Sequence, residues 1–117
     1  MTTFRAGDFM YDLDETWGAV PEGYAFHQVS GVAVDCHDDV YLFNLATHEL
    51  MVFDRGGRLL RRWGHEYSNA HGVHVAADGS VFIADRDVHV VLKYDSDERL
   101  LLTLGARGLP SDTGYSQ

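Results

Sequence analysis

Apolar positions along this chain come in short runs separated by clusters of turn-forming residues. "GVAVD" (residues 31–35) and "VYLFN" (40–44) flank "CHDD". "LMVFD" (50–54) and "RLLRRWG" (58–64) flank "RGG". The succession then returns as "GVHVA", "ADGS", "VFIAD", "VLKYD", "SDE" and "RLLLTLG". Alternation over four to six residues, with β-branched and aromatic enrichment, predicts strands, and the Gly- and Asp-rich breaks predict tight turns. No stretch sustains a helical period.

A shift of 41 residues lays Gly31–Gly64 on Gly72–Gly105 without a gap, and ten of the 34 positions are identical. Among them are Gly31/Gly72, His48/His89, Asp54/Asp95 and Gly64/Gly105. The chain therefore divides into an N-terminal strand and loop (9–28), a first four-stranded repeat (31–64), a second (72–105) and a C-terminal loop (106–117). A period near 40 with four strands per unit is the signature of a β-propeller blade. Two blades leave apolar faces unburied, and repeat arrays generally need at least three units. The expectation is a ring completed by further blades, either of a longer chain or of other copies. Three copies give six blades and two give four, and a homotrimer is the favoured form. A small self-contained sandwich is the competing architecture.

Composition narrows the partners. Nine basic against eighteen acidic residues give a net charge of −9, which disfavours nucleic acid and anionic membranes. No apolar run approaches the roughly 20 residues of a membrane span. The single Cys36 makes no internal disulfide, and no secretory leader is read at the start, so a cytoplasmic location is expected.

Four stretches carry a family resemblance: "PEGYAFHQVSGVAVDCHDDVYLFN", "VFDRGGRLLRRWG", "AHGVHVAADGSVFIADRDVHVVLKYD" and "LLLTLGARGLPSDTGY". Together they resemble NHL-repeat propellers, and more closely the bacterial relatives of peptidyl-α-hydroxyglycine α-amidating lyase, a six-bladed enzyme. The likeness spans about Phe9 to Tyr115 and corresponds to the first two blades of six. It implies a zinc ligand at His71, in the "HG" pair opening an innermost strand. It implies calcium held partly by backbone carbonyls at Val32 and Val73. Leu45 stands where the family pattern carries a catalytic arginine, and the tyrosine and remaining ligands of the family belong to blades this chain lacks.

Read as chemistry, one end of the strands gathers Ser30, Leu45, Thr47, His48, His65, Tyr67, His71, Asp85, Arg86, Asp87 and His89. The other end gathers Cys36, His37, Asp38, Asp78, Asp97 and Glu98. A lone histidine is a poor zinc site, because zinc takes three or four protein ligands. Three copies of His71 around a shared axis supply them; the competing reading is a hydrogen-bonded histidine without metal. His74 lies on the opposite side of its strand from Val73 and Val75. Arg86 replaces Leu45 in the repeat register and is suited to clamp a carboxylate, or else to pair with Asp85 or Asp87. Tyr67 is a candidate base or hydrogen-bond donor at the rim. Recurrence of His48 and His89 at one repeat position points to a structural role such as a loop hydrogen bond. Asp54 and Asp95 are expected to accept backbone hydrogen bonds, and Trp63 and Leu104 to pack.

The function expected is a metal-dependent lyase-like activity on a peptidyl-α-hydroxyglycine or small α-hydroxy acid derivative, with Arg86 and Tyr67 as catalytic residues. A non-catalytic propeller that binds a peptide or small molecule is the alternative, and a piece of a longer propeller the third.

Overall fold

The computed structural model describes residues 2–64 and 67–112. Among them there is no helix, and ten strands form three antiparallel sheets of two, four and four strands. β1 (Thr2–Ala6) and β2 (Phe9–Leu13) make a hairpin. β3 (Val29–Val34), β4 (Val40–Asn44), β5 (Glu49–Phe53) and β6 (Leu59–Trp63) form the first four-stranded meander. β7 (Ala70–Val75), β8 (Val81–Asp85), β9 (Val90–Tyr94) and β10 (Leu100–Leu104) form the second. No helix of the described residues is long and apolar enough to cross a membrane.

The eight strands of the two repeats fall within two residues of their predicted positions, and β4 and β8 coincide with them. Residues 9–28 hold one strand, β2, and a loop, and β1, which the pattern did not reveal, precedes them in a hairpin closed at Gly7, where φ is +62°. Every residue of that hairpin is exposed, so neither strand carries the buried–exposed alternation that a periodicity reading detects.

The repeat is visible in the backbone itself. Leu45 N–H donates to Gln28 C=O at 2.9 Å, and 41 residues later Arg86 N–H donates to Asn69 C=O at 3.0 Å. Asp35 and Asp39 share a turn bond that returns between Ala76 and Ser80. Asp54 Oδ1 accepts from Arg58 N–H and Asp95 Oδ1 from Arg99 N–H, each also holding its own arginine's Nε. These aspartates accept the backbone bonds expected of them.

The two four-stranded sheets pack face to face. Tyr41, Phe43, Leu50 and Val52 of the first meet Val81, Ile83, Leu92 and Tyr94 of the second in one buried cluster. The edge strands β3 and β7 run side by side at Gly31, where a side chain would press on Val73 and the His71 carbonyl. The far face of the first sheet is closed differently. Trp17, Val20 and Tyr24 lie over Leu42, Met51 and Phe53. Trp17 Nε1 donates to Arg55 C=O and Ala19 N–H to Gly57 C=O, both at 2.9 Å. Hence β5 is buried on both faces, and its run "ELMVF" carries no alternation, as expected of a strand covered twice. β8 and β9 alternate buried and half-buried because only one of their faces is covered. Trp63 packs as expected, whereas Leu104 is 54 % exposed, on a strand that no second sheet of the described residues covers.

Candidate functional site

The upper ends of β7 and β8 assemble the rim. β8 ends on Asp85, which is 2 % exposed, and its two carboxylate oxygens accept the N–H groups of Ser68 and Asn69 at 2.8 and 3.0 Å. A buried carboxylate is costly unless its oxygens are satisfied, and these two bonds fix the loop that enters β7. Asn69 then reaches forward with its side-chain amide to Asp87 at 3.2 Å. Arg86, between the two aspartates, donates Nε–H to Asp87 at 3.0 Å, while its own N–H is tied to Asn69 C=O. Asp87 thus accepts from two side chains. Those bonds to Arg86 and Asn69, with the nearby charges of Arg86 and His71, hold its carboxyl below the usual carboxylate range.

The equivalent corner of the first repeat uses Asn44 where the second uses Asp85. Asn44 is fully buried, donates to Ala25 C=O at 3.0 Å and accepts from Ala46 N–H at 3.3 Å. Leu45, the residue matching Arg86, turns into the core instead of the rim. The repeat therefore builds two similar corners that place their buried carboxylates differently: Asp85 at the end of β8 in the second, and Glu49 on β5, opposite Asn44, in the first.

His71 is exposed on β7, next to Ala70, which pairs with Asp85 of β8, and the Arg86 N–H bond to Asn69 C=O ties this end of β7 to the Arg86–Asp87 loop. Its counterpart Ser30 donates its hydroxyl to Ala70 C=O, so the two repeats touch at this level. Tyr67 is not on the rim. Its ring lies 3 % exposed between the sheets, edge-on to Phe43 at 5.4 Å. Gly64, at φ +77°, makes room for it, since any side chain there would enter the Tyr67 ring. A general base needs access to its substrate, and this burial separates Tyr67 from Arg86 in role.

His48 and His89 are exposed and share a left-handed backbone, with φ of +56° and +58°. Histidine is among the residues that enter this region more readily than most. Their recurrence thus marks a turn conformation, and no side-chain bond explains it. His74 faces outward from the second sheet with its ring 6.1 Å from Phe82, away from the rim. Val32 is 63 % exposed on β3, and Val73 is half-buried on the adjoining β7. His65 and the Thr113–Tyr115 part of "SDTGY" lie outside the described residues.

Within one chain the described residues do not make up either expected metal site. Among the described residues no three His, Cys, Asp or Glu side chains gather, and His71 alone falls short of the three or four ligands zinc takes. Two carbonyls, at Val32 and Val73, likewise fall short of the six to eight oxygens of calcium.

At the lower end the sheets part around a cavity of about 370 Å3 lined by Cys36, His37, Tyr41, Arg61, Asp78 and neighbours. Arg61 spans it, donating to the Tyr41 hydroxyl at 2.9 Å and pairing with Glu98 at 3.1 Å. Burial pushes the Tyr41 hydroxyl up, with Arg61 opposing. Sequence reading missed the Arg61–Tyr41 link and the role of Asn69. The one signal for Arg61 was its departure from Leu102, its repeat counterpart. Comparison of the chain with protein-family models and with curated proteins gave no match.

Proposed function

We propose that the chain is a ligand-binding module of two propeller-type blades, whose upper rim recognises a small carboxylate-bearing molecule or peptide through Arg86. The observation that carries this is the state of Arg86. Its side chain is 63 % exposed, yet its backbone is pinned to Asn69 and its Nε to Asp87. A guanidinium held at one edge presents its remaining donors in a fixed fork, which suits a carboxylate. Asp85, by locking residues 68–69, positions the fork without touching the ligand.

Titration with glycolate and with a peptide ending in α-hydroxyglycine, followed by calorimetry, tests the reading. Saturable binding lost in Arg86→Gln supports it. No binding, or binding unchanged in that variant, overturns it.

A second reading is a zinc-dependent lyase similar to the amidating lyases, favoured by the exposure of His71 on β7, at the end tied to the Arg86–Asp87 loop. Among the described residues one chain supplies one imidazole there, so on these residues the activity requires three copies sharing an axis. Metal analysis finding about one zinc per three chains, lost in His71→Ala, together with glyoxylate release from the peptide, would establish it.

A further inference from the structure

The segment 15–26 stands on the first sheet where the first sheet stands on the second. Under the 41-residue shift Leu42, Met51 and Phe53 correspond to Ile83, Leu92 and Tyr94. The latter three are covered by the first sheet, the former by Trp17, Val20 and Tyr24. The match extends to single positions. Tyr94 meets the Trp63 ring at 4.8 Å, and its counterpart Phe53 meets the Trp17 ring at 5.4 Å. Glu98, in the turn after β9, pairs with Arg61 of the first sheet at 3.1 Å. At its counterpart Gly57 the carbonyl accepts Ala19 N–H at 2.9 Å. An irregular strap thus engages, one repeat earlier, the positions that a whole sheet engages on the second repeat.

One difference between the repeats marks this substitution. Gly57 and Glu98 share a left-handed backbone, with φ of +88° and +64°. A side chain at Gly57 would come within 2.6 Å of the Gly18 nitrogen and 3.1 Å of the Trp17 ring. The turn itself accepts glutamate, as Glu98 demonstrates, so the obstacle is the strap lying on it. Glu15, Thr16 and Glu22 are exposed along the strap, giving it the polar outer side that end units of repeat arrays carry.

We propose that residues 15–26 are an internal stand-in for a neighbouring sheet. They form a cap that keeps the far face of the first sheet from accepting the outward face of a second-repeat sheet, the face that bears Val91 and Leu102. The cap is independent of the ligand reading at the rim. It adds a condition to the three-copy reading, since copies joined through these two faces meet only with the cap displaced.

A tagged chain carrying Leu102→Lys, which disables its own outward face, is mixed with the untagged, unaltered protein, and retention of the latter on an affinity column is measured. With the cap in place no retention is expected. Adding Gly57→Glu to the tagged chain, or separately Trp17→Ala with Tyr24→Ala, is expected to retain one untagged chain per tagged chain. Leu102→Lys in the untagged chain should abolish that retention. Retention with the cap in place overturns the proposal, as does no retention by either uncapped variant, or retention that persists against Leu102→Lys in the untagged chain. Loss of the β-sheet circular dichroism in both uncapped variants, not restored by the unaltered chain, overturns it too, because the strap would then belong to the first sheet's own fold.

Discussion

Trp63 and Tyr94 meet edge to face across the gap between the two four-stranded sheets, with ring centroids 4.8 Å apart and planes at 81°. The geometry sets the positive edge of one ring on the negative face of the other, which adds to the area both bury. Trp63→Ala removes this contact and leaves a cavity. The expected cost is about 2–4 kcal/mol in urea unfolding. At the same repeat position Leu104→Ala, where the side chain is 54 % exposed, should cost no more than about 1 kcal/mol in the same experiment.

Asp85 anchors the rim from a buried position, so its removal should strip two N–H groups of their acceptor. Asp85→Ala is expected to destabilise by about 2–3 kcal/mol. It should also weaken ligand binding more than this loss of folded protein explains, because the loop that orients Arg86 loosens. Calorimetric titration below the melting range separates the two effects.

The turn histidines give a test of local conformation. His89 sits at φ +58°, and the neighbouring Gly105, at φ +93°, would drive any side chain into the His89 carbonyl. His89→Gly is expected to leave thermal stability nearly unchanged, and His89→Val to lower it, since a β-branched residue is strained at positive φ. Gly105→Ala should lower it further. Melting temperatures of the three variants check the order.

Acid should unfold the protein through its turn aspartates. Asp54, Asp78 and Asp95 are each held below the ordinary carboxylate value, first by backbone N–H groups of their own turns. A depressed folded-state value means the stabilisation is fully present above the unfolded value, near 3.8, and is lost as pH falls through the folded value. The melting temperature should therefore be level from pH 7 to about 5 and drop steeply below about 4. Asp95→Asn should flatten part of that drop. A Tm that keeps its pH 7 value down to pH 3 would contradict the linkage.

The strands of both repeats were legible as β-branched and aromatic runs bounded by turn residues, as in "VFIAD" and "VLKYD"; that only one face of β8 and β9 is covered came from the structure. "LMVFD" was legible as a strand by composition and its turn flanks, and its cover on both faces was seen in the structure alone. The second cover, the Trp17–Tyr24 strap, was not legible, since its irregular backbone holds to the sheet by single bonds to Arg55 and Gly57. The rim was half legible. Arg86 stood out against Leu45, and Asp87 beside it was an evident partner. Tyr67 read as a rim residue from its place in the loop, but the glycine at 64 folds its ring inward under Phe43.

By itself the sequence determined the all-β class, the 41-residue duplication, the turn aspartates and the net negative charge. These follow from local rules: side-chain period, turn chemistry and charge count act over a few residues or over the whole composition. Tertiary structure alone decided which face of each sheet is covered, that Tyr67 is core and Arg86 is rim, and that Asp85 ties down the loop before β7. Such outcomes depend on which distant segments come into contact, and sheet faces of similar apolarity can be closed by a strap, by a sister sheet or by nothing within the chain.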